Sequence, residues 1–251
     1  MANDCVYVHE LIDIVGQQRA KYMHHMTAWW CPEARKVRDQ LVYGVWGTLG
    51  STGAWPQVVN LWEYPSGWDG LGKSFDFEVS NPVMQDPHLQ QWWAKAAPLR
   101  RGGIDRVLVP ASWTRTIEEL VGDGVRGDAY AHEFVTVPPG RSSALLDLVR
   151  DEGRGAVESH GLELVGAFNV ALRNDTECIL LWAIPDFATW GRFEAAWSAA
   201  GDLVSWRAEL VELGSVVDRS LLVDSPLNPM KIGRQPAESD RRPLEDFDPP
   251  S

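Results

Sequence analysis

Basic residues, cysteines and long apolar runs are all scarce in this chain. Lys and Arg number 23 against 35 Asp and Glu, a formal net charge of -12 over 251 residues, so the surface offers little attraction to phosphate backbones or anionic lipid. Nucleic acid is therefore not an expected partner. The three cysteines, Cys5, Cys31 and Cys178, are odd in number and widely spaced, with no CxxC pair. That speaks against a disulfide framework and against a thiolate metal site. The longest apolar run, Cys178 to Ile184, is too short to span a bilayer, and Met1-Ala-Asn-Asp-Cys-Val-Tyr lacks the basic and apolar segments of a signal peptide. The expectation is a soluble, cytoplasmic protein without a membrane partner. GxGxxG, P-loop, HExxH and GxSxG motifs are also missing, which removes the main support for nicotinamide, nucleotide and serine-hydrolase chemistry.

Tryptophan, in contrast, occurs 13 times in a chain that is 45% hydrophobic. So much indole implies either an unusually aromatic core or an aromatic-lined cavity, and composition does not choose between them.

The order of residues says more. Tyr7-Val8-His9-Glu10-Leu11 recurs as Tyr130-Ala131-His132-Glu133-Phe134. Tyr43-Gly44-Val45-Trp46 is matched by Val165-Gly166-Ala167-Phe168, Leu61-Trp62-Glu63-Tyr64-Pro65 by Leu181-Trp182-Ala183-Ile184-Pro185, and Asp105-Arg106-Val107-Leu108 by Asp218-Arg219-Ser220-Leu221. Four matches in one order mark an internal duplication, with the first repeat in residues 1–115 and the second in 128–225. Within each repeat the periodicity reads strand, helix, strand, strand, helix, strand. The first strands are Val6 to Ile14 and Ala129 to Val137. The first helix of the first repeat runs from about Gln17 to Gln40 and should break near Cys31-Pro32, since proline cannot donate the interior bond. Second strands are expected at Gly44 to Leu49 and Leu164 to Ala171, third strands at Gln57 to Tyr64 and Glu177 to Ile184. Second helices follow at Leu89 to Ala97 and Phe187 to Glu209, and fourth strands at Arg106 to Pro110 and Asp218 to Val223. Segment 72–88 lacks a counterpart in the second repeat and reads as a polar insertion loop over a barrel mouth. The proline-rich, charged stretch 226–251 reads as a flexible tail, or as an arm lying on its own domain.

A β-α-β-β-α-β order is the ferredoxin-like unit, whose sheet has one face uncovered by its own helices, and two such units in tandem can cover each other. The fold class expected is α+β, two tandem ferredoxin-like repeats forming an intramolecular dimeric α/β barrel. The chain resembles the dimeric α/β-barrel superfamily, and Asn60-Leu61-Trp62-Glu63-Tyr64 together with His132-Glu133-Phe134 through Pro139-Gly140-Arg141 is similar to the NIPSNAP family within it. The resemblance implies two sheets closing around an interior cavity in which a small molecule is bound or converted. It also implies an acidic and a basic residue two positions apart on the first strand. Here Ile12 and Val135 occupy the second position, so that charged pair is absent or shifted.

Strand alternation places Tyr7 and His9 on one face and Glu10 on the other, and likewise Tyr130 and His132 against Glu133. Tyr7, His9, Tyr130 and His132 are the first candidates for acid/base chemistry, with packing as the competing role. Glu10 and Glu133 lie on the face that helices should cover, where a carboxylate is costly without a partner. Either that face lines the cavity or an arginine pairs with the carboxylate. Trp46, Trp62, Phe168 and Trp182 occupy matched positions and would suit either a core or the walls around a flat apolar ligand, and in the doublets Trp29-Trp30 and Trp92-Trp93 one of each pair must point away from its own helix's core, which makes them candidates for a cavity mouth or an interface. His24-His25 invites a haem reading, since several relatives of this barrel class bind haem through a histidine. Adjacent helical residues point about 100° apart, however, and do not form a joint ligand pair. The leading expectation is an enzyme without a cofactor or metal, acting on a small hydrophobic or aromatic molecule by acid/base chemistry such as isomerisation, cyclisation, lyase action or cofactor-free oxygenation. The alternatives are a non-catalytic binding or stress-response protein and, less favoured, a haem enzyme. Further assembly into a homodimer stays open.

Overall fold

The computed structural model describes residues 2–199 and 201–248. Eight strands close into one antiparallel barrel in the order β1-β3-β2-β8-β5-β7-β6-β4. They are β1 (Val6–Ile14), β2 (Leu41–Thr48), β3 (Gln57–Tyr64), β4 (Arg100–Pro110), β5 (Ala129–Thr136), β6 (Glu163–Ala171), β7 (Glu177–Ile184) and β8 (Val216–Asp224). Each repeat supplies four adjacent strands, and the halves join where Trp46–Thr48 of β2 meets β8 and Val107–Pro110 of β4 meets β6. The tandem ferredoxin-like architecture is thus a barrel completed within one polypeptide. Among the described residues, no helix is long and apolar enough to cross a membrane.

The barrel interior is a packed aromatic core, which corrects the expectation of a cavity between the sheets. Tyr7, Tyr43, Trp46, Tyr130, Phe168, Leu61 and Leu181 are buried there. Tyr7 packs edge-on against Tyr43 and Phe168 at 5.3 and 4.9 Å, and Trp46 meets Tyr130 at 5.6 Å. His9 and His132 stack at the centre with their Nε2 atoms 3.0 Å apart. One ring must donate and the other accept, so at least the accepting ring is neutral. Burial, followed for His9 by the neighbouring His132 and Arg106, holds the His9 imidazole well below its usual range. Burial and then Arg106 lower His132 to about 3.

The sign of the resulting pH dependence follows from linkage. As pH falls through about 6.5 the unfolded histidines take up protons and the folded ones do not, so stability is lost between about 6.5 and the lowered native values. Glu63 and Asp224, both raised to about 7 by burial, act in the opposite direction. A comparison at constant carboxylates therefore isolates the histidines: the double variant His9→Leu/His132→Leu should lose less of its thermal midpoint than the unaltered protein between about pH 7 and pH 4.5. Equal losses in calorimetry would refute this account of the pair.

Helices cover the outer face of each half. In the first repeat α1 (Arg19–His24) continues through a π turn (His25–Trp30) into α2 (Cys31–Arg38) without the expected break. The π turn lets the Cys31 N–H bond back to the Met26 carbonyl, and the Ala28 carbonyl that Pro32 cannot serve accepts from Arg241 Nε at 3.3 Å. The second repeat has the same device, a π turn at Val149–Gly153 between α6 (Ser142–Leu148) and α7 (Arg154–Glu158). Segment 72–88 is not a loop lacking a counterpart. Its first part belongs to α3 (Gly67–Val79), which follows β3 as α8 (Phe187–Trp197) follows β7, and α4 (Pro87–Ala96) answers α9 (Asp202–Glu212). The one helix expected over Phe187 to Glu209 is the two helices α8 and α9. A short capped helix, α5 (Ile117–Gly122), joins the repeats.

Residues 226–248 pack as an arm, while 249–251 of the expected tail lie outside the described residues. The arm carries α10 (Pro229–Ile232) and buries Met230 and Leu244. Gln235 bonds both the N–H and C=O of Val42, at 3.1 and 2.8 Å, groups released by the bulge between Val42 and Gly44. Phe247 stacks on His24 at 4.1 Å.

Candidate functional site

The site grows from the outer face of β1. Tyr7 and His9 point into the packed barrel, so Glu10 faces the helices, as does Trp62 on β3. Trp62 Nε1 and Asn60 Nδ2 both donate to Glu10 Oε2, at 3.0 and 2.8 Å, and the second Asn60 N–H reaches the Tyr22 hydroxyl at 3.2 Å. Glu10 Oε1 has no hydrogen-bond partner among the described residues. Directly across the ladder from Glu10 stands Asp105 of β4. Burial and then the facing Asp105 raise the Glu10 carboxyl above its usual range, against the donors Trp62 and Asn60 and the more distant Arg100. Asp105 is raised as well, chiefly by burial.

These carboxylates floor a cavity of about 530 Å³ between the first repeat's sheet and its helices. Part of the wall is aromatic, with Trp62 from the sheet, Trp30 from the π turn, and Trp92 and Trp93 from α4, and the rest is largely polar. Arg100 lies over Trp93 at 4.9 Å. On the helical side the Arg38 guanidinium is clamped by Asp86 at 2.7 Å, Ser74 at 2.8 Å and Glu78 at 3.2 Å, and it sits 5.4 Å from the Trp30 ring. This holds the end of α2 against α3 and the loop before α4.

The second repeat repeats the strand positions and closes the space. Glu133 accepts from Trp182 Nε1 at 3.0 Å, as Glu10 does from Trp62, but its Oε1 is taken by Arg219 at 2.7 and 2.6 Å. Arg219 and Asp105 are therefore counterparts in the ladder, one residue away from the sequence match of Asp105-Arg106 with Asp218-Arg219. Above this pair the cleft is filled by Trp206, Phe193 and Leu203. Trp206 lies so close to Gly153 that a Cβ there would meet the indole at 2.7 Å. Trp30 ends the π turn of the first repeat where Gly153 ends that of the second. The two outcomes expected for the outward carboxylates, a cavity wall and an arginine pair, are both realised, one in each repeat.

The other sequence candidates divide cleanly. His9, His132, Tyr7 and Tyr130 are core residues away from the cavity, as are Trp46 and Phe168, because the interior face of the barrel is filled. Tyr7 donates to Glu63 at 2.8 Å, and the same Glu63 oxygen accepts from the Ile117 N–H at 2.9 Å. Tyr130 donates to Asp224 at 3.4 Å. Trp182 is packed beside Glu133. Trp29 turns outward between Lys95 and Arg241, 5.1 and 5.0 Å from its ring, and its neighbour Trp30 takes the cavity position. Asn60, Asp105, Arg38 and Gln40 were not foreseen as site residues, whereas Trp92 belongs to a doublet read as a mouth or interface candidate. Only the Trp29-Trp30 and Trp92-Trp93 doublets signalled that one of each pair leaves its own helix's core.

The His24-His25 pair does not fit a haem held by histidine. His25 Nε2 donates to the Trp92 carbonyl at 3.0 Å while Trp92 Nε1 donates to the His25 carbonyl at 3.2 Å, and His24 Nε2 accepts from the Arg242 N–H at 3.2 Å. Among the described residues the cavity wall contributes no histidine, and no three His, Cys, Asp or Glu side chains gather to hold a metal ion.

No family model matches the chain, and no curated protein does. Solved structures do. A proposed monooxygenase from Lactobacillus acidophilus superposes with a TM-score of 0.55 at 9% identity, over 88% of this chain and 97% of its own. An anthrone oxidase-like protein gives 0.54 at 9% identity, over 89% and 94%. A NIPSNAP family protein from Agrobacterium tumefaciens is 24% identical, but over 42% of this chain and 95% of its own, with a TM-score of 0.37. At these identities the likeness speaks for architecture alone: the chain has the dimeric α/β-barrel fold, both halves of it carried by one polypeptide.

Proposed function

We propose that this protein is an enzyme that moves a proton on a planar, hydrophobic aromatic substrate held in the first repeat's cavity, with Glu10 as the acid/base group and no cofactor taking part. The observation that carries the reading is the asymmetry of the duplication. The same strand glutamate is neutralised by Arg219 in a filled cleft in one repeat, and faces Asp105 and an open, indole-walled cavity in the other. A general base works best when its pKa lies near the working pH, and burial beside a second carboxylate moves Glu10 in that direction. Trp62 and Asn60 fix one oxygen of the carboxylate and leave the other free to reach the substrate. Trp30, Trp62, Trp92 and Trp93 supply flat apolar walls that exclude water from the transfer. The anthrone oxidase-like neighbour suggests anthrone as a probe, whose methylene C–H is acidic because the carbanion is delocalised as an aromatic anthrolate, within the range of a carboxylate whose basicity is raised.

The test is proton exchange, read without oxygen. Anthrone is incubated with the protein in deuterated buffer under anaerobic conditions, and loss of its methylene proton signal is followed by NMR. The protein should accelerate the exchange, with a rate that falls on the acid side as Glu10 becomes protonated, at a pH above the ordinary carboxylate value of 4.5. Exchange no faster than in buffer while anthrone is demonstrably bound would contradict a catalytic role and leave a binding protein.

A further inference from the structure

Two arginines line the first repeat's cavity, and they are held very differently. Arg38 is buried and committed to Asp86, Ser74 and Glu78. Arg100, which opens β4, is half-buried and rests on the Trp93 ring at 4.9 Å. Among the described residues its guanidinium takes part in no hydrogen bond or ion pair, so its donors remain for whatever occupies the cavity. The ladder explains its position. Glu10 pairs with Asp105 and, past a bulge, Ile14 pairs with Arg100. Arg100 and Glu10 therefore stand on the same outer face of the sheet, about 13 Å apart at the backbone for four residues of strand, and both line the one cavity. The corresponding end of β8 carries no arginine, for the chain there reads Gly214-Ser215. The unpaired cation, like the unpaired glutamate, belongs to the repeat whose cleft is open.

Removing a proton from carbon moves negative charge. Glu10 becomes neutral, and the electron pair left behind needs an atom that can hold it away from the anionic Asp105. A cation assists this step only if it interacts more strongly with the charge formed than with the carboxylate that loses it. Arg100 makes no ion pair with Glu10 or Asp105, whereas an oxygen hydrogen-bonded to its guanidinium would lie at about 2.7–2.9 Å. Resting on the reading of Glu10 as the base, we propose that Arg100 is a second catalytic residue and that the substrate is an aryl ketone, its carbonyl oxygen bound by Arg100 and its acidic C–H presented to Glu10 from the opposite edge of a ring. The C–H bond breaks as Glu10 forms an O–H bond, the electron pair enters the ring system, and the carbonyl becomes an aryl oxyanion held by the guanidinium. Returning the proton from Glu10 to carbon reverses each change, and exchange of that proton with solvent labels the substrate. Anthrone has this arrangement, with methylene and carbonyl opposite each other on its central ring.

The experiment follows the anaerobic exchange of anthrone against pH in the full chain, with affinity read from quenching of tryptophan fluorescence and folding from the thermal midpoint. Arg100→Met keeps an unbranched stem against Trp93 and removes the charge, while Arg100→Lys retains a cation. The plateau rate above the acid limb should fall about 10²–10³-fold in Arg100→Met, the loss typical of one oxyanion donor, and recover in large part in Arg100→Lys. Anthrone affinity should change by less than about tenfold, the share of one hydrogen bond to a neutral carbonyl. Should Arg100→Met prove unstable, Arg100→Gln takes its place. If Arg100 acts only on the charge of Glu10, losing it moves the acid limb to higher pH and leaves the plateau no lower. That result in a folded variant, or equal losses in Arg100→Met and Arg100→Lys, would overturn the assignment and leave Glu10 acting alone. Absence of acceleration by the unaltered protein would overturn it together with the reading of Glu10 on which it rests.

Discussion

Glu10→Gln should lower the rate of proton transfer by about 10²–10⁴-fold, the usual contribution of a positioned acid/base group, without lowering the thermal midpoint near neutral pH. The second half of that expectation is the more discriminating. A carboxyl whose pKa is raised by folding is stabilising while protonated, and that contribution is lost as pH rises through the native value. At neutral pH Glu10 therefore burdens the fold, and a neutral isostere that still accepts from Trp62 and Asn60 relieves it. Its counterpart must behave in the opposite way. Glu133 is 6% exposed, and it accepts two bonds from Arg219 as well as one from Trp182. Glu133→Gln breaks a nearly buried ion pair and leaves Arg219 with only the more exposed Glu194 at 3.5 Å, at a cost of about 3 kcal/mol, with no effect on chemistry in the other repeat. Measured side by side for turnover and thermal unfolding, the two substitutions should separate activity from stability almost completely. Loss of activity in Glu133→Gln at a temperature where it is folded, or full activity in Glu10→Gln, would assign the roles differently.

Gly44→Ala should be among the most damaging single-methyl additions in the chain. The bulge at Val42 and Gly44 folds the Trp46 indole back over the glycine, and a Cβ there would lie 2.0 Å from the ring. Trp46 has no room to retreat. It is fully buried and meets Tyr130 across the barrel at 5.6 Å. Overpacking of this kind costs about 3 kcal/mol or more, which for a domain of this size lowers the midpoint by about 6–12 °C. Gly166 repeats the arrangement with Phe168, its absent Cβ 2.5 Å from that ring, so Gly166→Ala should be damaging too. Gly191 serves as the contrast: it lies within α8 with nothing within 4 Å, and Gly191→Ala should raise stability by up to about 1 kcal/mol through helix propensity. A midpoint for Gly44→Ala within a degree or two of the unaltered protein would refute the packing described for the barrel interior.

Much of the fold was legible because duplication wrote it twice. β1, β3 and β7 fall at the bounds that alternation and turn residues predicted, and the repeated Tyr-x-His-Glu assigned the faces correctly. Which face held the site was not legible. A strand pattern states that Tyr7 and His9 oppose Glu10, but whether the space between the sheets is filled depends on side chains from six other strands, which no local period reports. The site residues Arg38, Gln40 and Trp92 come from the helical layer, brought to Glu10 only by tertiary packing. The continuity of α1 into α2 was hidden because the π turn and the distant Arg241 compensate Pro32, and a rule about proline in isolation cannot include a residue some two hundred positions away. Whether 226–251 is a flexible tail or an arm on its own domain stayed open in the sequence for a related reason. Its own apolar content is small, and what orders it is backbone left unpaired by the β2 bulge. The fourth-strand match was displaced by one residue because Asp-Arg pairs align well as letters, yet in the ladder Asp105 answers Arg219. That single shift is what leaves one glutamate beside an aspartate and the other beside an arginine.

The central claim is spatial, that ligands enter between the first repeat's sheet and its helices and not between the two sheets. It is tested most directly by a crystal structure of the protein with anthrone bound. The account predicts the ring among Trp62, Trp30 and Trp92, with its reacting edge toward Glu10. Density for the ligand between His9 and His132 in the barrel interior, or over Glu133 in the second repeat, would contradict it.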